Sequence, residues 1–308
     1  MEKNVIKNYA IWARKELIEK VAQKALQYGI EDGKELGQDV DSIDGVLLTE
    51  KERLQRKALI RKIREDGYSQ VMEEVAYTWF NRFVALRFME VNSYIPSHVR
   101  VFTDDNNDFR PQILTEALYI DFIDVDKDRI IELKQQNKDE ELYRYLLLTQ
   151  CNELSKFLPG IFSRINDYTE LLLPDYLLRK GSVIAELIEQ IPVEYFDVDS
   201  EVGQVEIIGW LYQYYNTEQN ELVYDGTLSK ARIPKELLSA ATTIYTPDWA
   251  VKYMVENSLG RLWMDSHPDS KLFEKWKYYL PQEKYINNSN VNLESIKCLD
   301  PCAGSGHI

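Results

Sequence analysis

Apolar residues recur along the first part of the chain at helical spacing. Val5, Ile6, Tyr9, Ala10, Ala13, Leu17, Val21 and Ala25 follow one another at steps of one, three and four. That pattern predicts a long helix stopped near Gly29. Residues 31–45 hold three glycines and several aspartates and read as a turn-rich connector. Thr49 with Glu52 three residues later fits a capping box, and the helix it opens runs to Gly67. Residues 73–89 carry Val75, Ala76, Trp79, Phe80, Phe83, Val84, Leu86 and Phe88 with few polar interruptions, as a central core helix would. Residues 94–110 read as a loop. Helical periodicity resumes over 111–118, 139–156, 161–172, 183–190, 205–215 and 234–240, punctuated by Pro159-Gly160, Pro174 and Gly181. Strand alternation is scarce, so residues 1–240 are expected to form a mainly α-helical N-terminal domain.

The pattern changes at Ala241. Thr246-Pro247-Asp248-Trp249 is a helix-start signature: Thr246 can cap, Pro247 suits the first helical position, and Asp248 complements the helix dipole. Val251, Met254, Val255, Leu259 and Leu262 then keep helical spacing to about Trp263, and His267-Pro268 ends the element. Residues 271–280 look helical, and 281–290 form a polar connector. Ile296-Lys297-Cys298-Leu299 reads as a strand and leads into Asp300-Pro301-Cys302-Ala303-Gly304-Ser305-Gly306. A strand, an acidic residue and a glycine turn are what an α/β fold uses to seat a nucleotide-like cofactor, because glycines let the backbone approach the ligand. Taken alone, Gly304-Ser305-Gly306 is a weak signal, and no Gly-Lys-Ser/Thr follows to make a Walker loop.

The length of 308 residues is about twice a ~150-residue domain, so two domains are expected: 1–240, then 241–308. Hydrophobic residues at 44% and charged residues at 29% exclude global disorder. A net charge of −14 argues against phosphate contact over the surface as a whole. Against that background, Lys51, Arg53, Arg56, Lys57, Arg61, Lys62 and Arg64 make one local basic stripe, the best nucleic-acid candidate in the chain. The competing reading is a solvated helix with internal ion pairs. Residues 181–225 contain no Lys or Arg, which fits a solvated acidic face or a docking surface for a basic partner. Trp79, Phe80 and Phe83 share one helix face and read as core rather than as a base-stacking platform. Cys298, Cys302 and His307 lack a fourth ligand, so no metal site is expected. No stretch reaches ~18 uninterrupted apolar residues. With three cysteines and no signal-peptide pattern, a cytoplasmic protein with reduced thiols is expected, with no membrane contact.

The combination of motifs is more specific than its parts. Asp300-Pro301-Cys302-Ala303-Gly304-Ser305-Gly306 resembles the S-adenosylmethionine (SAM) motif I of amino-methylating DNA methyltransferases, usually Asp-Pro-x-x-Gly-Ser-Gly. Tyr245-Thr246-Pro247, some fifty residues upstream, resembles the preceding motif X of N6-adenine enzymes. Residues 77–94, 243–263 and 299–308 are similar to the PglX family, the adenine-specific DNA methyltransferases of bacterial BREX phage-exclusion systems.

That resemblance covers the chain as the N-terminal part of a longer family member. It implies the start of a Rossmann-like SAM-dependent domain, cut after motif I and expected to leave apolar edges exposed. It puts Thr246 and Pro247 near the methionine part of SAM, Asp300 against the amino group, and Pro301, Cys302, Gly304 and Gly306 around the loop. It also implies double-stranded DNA, with other BREX proteins, as partners of the complete enzyme. The Asn/Asp/Ser-Pro-Pro-aromatic loop that holds a flipped adenine is absent, since the chain has no Pro-Pro dipeptide. No catalytic residue is therefore assigned, and no methyl transfer is expected from these residues alone. A second reading is a non-catalytic helical module binding DNA or other defence components. A third is a nucleotide-binding enzyme using the same glycine turn.

Overall fold

The computed structural model describes residues 2–34, 37, 39–120, 125–162, 168–201, 203, 205–224, 233, 237, 241, 246–281 and 293–300. Helix α1 (Lys3–Gln27) buries Ile6, Tyr9, Ala10, Ala13, Leu17, Val21 and Ala25, the apolar series that predicts it. Gly29, at φ +65°, supplies the left-handed turn that releases the chain. α2 (Glu50–Asp66) opens with the expected capping box: Thr49 Oγ1 accepts from Glu52 N (3.2 Å) and Glu52 Oε2 accepts from Thr49 N (2.9 Å). α3 (Tyr68–Val91) follows directly after Gly67 and is longer at both ends than its apolar run. It buries Trp79, Phe80 and Phe83, and Trp79 Nε1 donates to Thr169 O at 3.1 Å, which confirms a core role.

The connector between α1 and α2 hides an element. β1 (Ser42–Ile43) and β2 (Val46–Leu47) form a short antiparallel hairpin. Its loop, Asp44 (φ +48°) and Gly45 (φ +82°), has the two positive angles of a type I′ turn.

Four more helices carry the chain through the middle: α4 (Gln112–Glu116), α5 (Lys127–Gln135), α6 (Asp139–Leu154) and α7 (Tyr168–Leu171). The apolar pattern does not predict α5; Asp126 caps it by accepting from Arg129 N at 3.1 Å. The helix expected over 161–172 is a single turn, α7, within the described residues. α8 (Val183–Gln190), α9 (Glu206–Tyr215) and α10 (Thr217–Tyr224) complete the helical part. The helix expected over 234–240 falls almost wholly outside the described residues.

One connected buried cluster extends from Ile6 to Tyr215. α1 is its axis, packed on α3, α8 and α9, and Tyr9 OH donates to Val183 O at 3.0 Å. A fully buried ion pair closes one end. Glu90 accepts from Arg87 Nη1 (2.7 Å), Phe102 N (2.7 Å) and Thr103 Oγ1 (2.8 Å), tying α3 to the loop after it.

Near the C-terminus, the helix expected up to Trp263 is two helices, α11 (Asp248–Asn257) and α12 (Leu259–Ser266), broken at Ser258 (φ −111°, ψ −77°). Pro247, not Thr246, holds the cap position, and its carbonyl accepts from Ala250 N (2.9 Å) and Val251 N (3.2 Å). Asp248 sits in the first turn as expected and pairs with Lys252 at 2.7 Å. Residues 271–280 are not an α-helix: a 3-10 turn (Leu272–Lys275) is followed by irregular chain with a bend at Lys277-Tyr278. Residues 296–299 have no ladder partner among the described residues, where β1–β2 is the one sheet, and Leu299 is 88% exposed. The mainly helical expectation holds; a Rossmann-like opening is not seen among the described residues.

Candidate cofactor and nucleic-acid surfaces

The C-terminal element is organised by two polar side chains at the end of α11. Asn257 Nδ2 donates to Tyr278 O (2.8 Å), and its Oδ1 accepts from Leu280 N (2.9 Å). Glu256 Oε2 accepts from Tyr278 N at 2.6 Å. The Tyr278 and Leu280 N–H groups, which a helix over 271–280 would have paired internally, thus find their acceptors on α11 instead. The clamp lays Trp276 across Gly260 and leaves an apolar cavity of about 520 Å³, walled by Val255, Leu259, Trp263, Trp276 and Cys298.

Of the expected cofactor residues, the three described ones, Thr246, Pro247 and Asp300, do not line this cavity. Thr246 is half-buried and Pro247 exposed at the start of α11. Asp300 is half-buried, with one carboxylate oxygen shielded from solvent. Pro301, Cys302, Gly304 and Gly306 lie outside the described residues. A partly sequestered carboxylate suits a cationic amine, because a charge-assisted hydrogen bond strengthens as water is excluded. α11 itself buries no residue; Trp249 and Tyr253 are 58% and 44% exposed.

The basic stripe on α2 is engaged within the chain. Lys51 pairs with Glu170 (2.7 Å), Arg53 with Asp41 (2.7 Å), Lys57 with Asp39, and Lys62 with Asp66 (2.6 Å) and Glu74 (3.5 Å). Arg56 is 2% exposed and faces inward, Nε donating to Tyr28 O and Nη1 to Gly37 O, each at 2.8 Å. Arg61 and Arg64 are exposed and have no ion-pair partner among the described residues. In the acidic run, Glu218 pairs with Lys15 (2.6 Å) and Glu221 with Lys7 (3.9 Å), so part of that charge faces α1.

A polar cleft of about 580 Å³ between α2, α6 and α7 has no counterpart in the sequence pattern. Arg144 crosses it to donate to Leu173 O (2.7 Å) and Glu170 O (2.5 Å). Beside it, Asp175 accepts from Lys24 (2.6 Å) and Gln27 (2.8 Å). Desolvation alone would raise the Asp175 carboxyl; the Lys24 hydrogen bond and charge, the Gln27 amide and the Arg144 charge outweigh it and hold it below the usual carboxylate range. These partners are far apart in sequence, so no local pattern marks them.

The chain matches no protein-family model. Two curated relatives align over all of it. The adenine-specific methyltransferase PglX of Lacticaseibacillus casei (strain Zhang) is 37% identical over 348 residues, covering 100% of this chain and 28% of the relative. The adenine-specific methyltransferase BrxX of Escherichia coli O9:H4 (strain HS) is 37% identical over 338 residues, covering 100% of this chain and 26% of the relative. The chain is an N-terminal portion of a PglX-family protein.

Both the helical part and the C-terminal element fall within this PglX-family match, so the α11–α12 clamp belongs to the same matched length as the α1-centred core. Among the described residues, no group of His, Cys, Asp and Glu suits a metal, and no helix is long and apolar enough to cross a membrane.

Proposed function

We propose that this chain is the N-terminal part of a site-specific DNA adenine methyltransferase of phage defence that uses SAM as methyl donor and double-stranded DNA as substrate. The observation that carries this reading is whole-length identity of 37% to two adenine-specific methyltransferases, in a chain that also holds Asp300-Pro301-Cys302-Ala303-Gly304-Ser305-Gly306. When bound, SAM supplies an electrophilic methyl group. The role of this chain is to hold the donor. The Asp300 carboxylate accepts hydrogen bonds from the ammonium of the methionine moiety. Thr246 and Pro247 would hold that moiety, and Pro301, Cys302, Gly304 and Gly306 would supply the glycine-rich turn that lets a backbone approach it. Recognition of the flipped adenine needs acceptors that this chain lacks, as the absence of any Pro-Pro dipeptide indicates.

Calorimetric titration of the 308-residue chain with SAM tests the reading. Saturable heat that Asp300→Ala abolishes is the expected result. A folded chain that gives no heat contradicts it.

A further inference from the structure

The cations of α2 that sequence assigns to nucleic acid are mostly neutralised, so the cations most open to a phosphate lie mainly elsewhere. Arg179 and Lys180 are adjacent, exposed, and have no ion-pair partner among the described residues. They border a cavity of about 180 Å³, walled on its other side by Lys20 of α1 and closed by Ser182 at the start of α8. The size suits a single phosphate group rather than a base.

The site is preorganised. Ser182 Oγ accepts from Ala185 N (3.1 Å) and donates to Leu177 O (2.7 Å), which fixes the turn that presents both cations. Arg179 lies 3.6 Å from the centroid of the Tyr176 ring, so its guanidinium is held against the ring rather than free to sweep. Tyr176 is 54% exposed and adopts φ +60°, an uncommon angle for a bulky residue. Packing gives no reason for that ring to stand in solvent; as the platform for Arg179 it has one.

Two carboxylates, Glu16 and Asp175, also line the cavity, and both have cationic partners. Asp175 is taken by Lys24 and Gln27. Glu16 lies 3.5 Å from Lys20 and removes part of that charge. Glu140 accepts from Leu178 N at 3.2 Å and feels the Arg179 charge. Lys20, Arg179, Lys180 and Ser182, the cap of α8, all line the cavity, so the positive end of that helix adds to the three side-chain charges. Given the DNA-methyltransferase reading, on which this rests, we infer that Lys20, Arg179 and Lys180 bind a phosphate of the DNA backbone. This site positions the duplex without reading its sequence.

Fluorescence anisotropy with labelled duplex DNA across a salt series tests this, comparing the 308-residue chain with Lys20→Gln/Arg179→Gln/Lys180→Gln and with Arg61→Gln/Arg64→Gln. The inference expects the triple variant to bind more weakly and to lower the slope of log K against log salt by about 0.9 for each phosphate it no longer neutralises. Its melting temperature should stay at the wild-type value, since all three side chains lie at the surface. An unchanged slope, or weakening confined to the α2 pair, overturns the surface and leaves the methyltransferase reading intact. No salt-dependent DNA binding by the wild-type chain, or binding to phosphatidylglycerol vesicles instead, also overturns it. The SAM titration tests that reading separately.

Discussion

Gly260 lies directly beneath the indole of Trp276: a Cβ at that glycine would stand 2.9 Å from Trp276 Cζ3 and 3.1 Å from Cη2. The ring is not a flexible tip that can swing aside, because Asn257 and Glu256 pin the chain two to four residues further on. Gly260→Ala should therefore lift Trp276 and distort the apolar cavity, at a cost of about 1–3 kcal/mol to this element. Tryptophan fluorescence and thermal melting of the variant check it; an unchanged emission maximum and melting temperature would remove the packing claim.

Glu90 and Arg87 are buried together, and Glu90 also holds the Phe102 and Thr103 backbone. Glu90→Ala leaves an uncompensated buried guanidinium and unpaired amides. Urea unfolding should show a loss of about 3–5 kcal/mol. A loss below ~1 kcal/mol would mean that water reaches the pair.

Thr49→Ala removes the hydroxyl half of the capping box on α2 and should cost about 0.5–2 kcal/mol. The effect should be visible in urea unfolding. The matching Glu52→Gln change keeps the reciprocal bond and should cost less, although Glu52 also accepts from Tyr28 OH at 3.0 Å.

Asp175 gives a pH dependence of definite sign. Its folded-state carboxyl is held below the ordinary value of about 3.9. The associated stability is therefore present above that ordinary value and lost as pH falls through the lower folded value. Wild type should exceed Asp175→Asn in stability at pH 7, and the gap should close on acidification below about pH 4. A gap independent of pH in that range would assign the effect to hydrogen bonding rather than charge.

Local pattern carries much of the fold. The apolar series from Ile6 to Ala25 is the buried face of α1, and Thr49 with Glu52 forms the cap it spells. The Asp44-Gly45 dipeptide is a strong type I′ signal, but the surrounding aspartates and glycines mask the hairpin within a turn-rich connector. The C-terminal element departs from its pattern for a different reason. Asn257 and Glu256 capture backbone groups more than twenty residues away, and no local window contains that interaction. The α2 stripe shows the same limit. Lys51 meets Glu170 from 119 residues along the chain, and Arg56 turns inward to Tyr28 and Gly37, so basic spacing does not reveal which cations remain free. Of the residues proposed to hold SAM, Thr246, Pro247 and Asp300 fall within the described residues, whereas Pro301, Cys302, Gly304 and Gly306 rest on sequence resemblance.

Equilibrium dialysis of the 308-residue chain with methyl-labelled SAM and bacterial DNA tests the central claim in one measurement. The account predicts label retained with the protein, released by Asp300→Ala, and none incorporated into DNA. Label in the DNA would contradict the assignment of catalysis to residues outside this chain, and no retention by the folded protein would contradict its role in holding the donor.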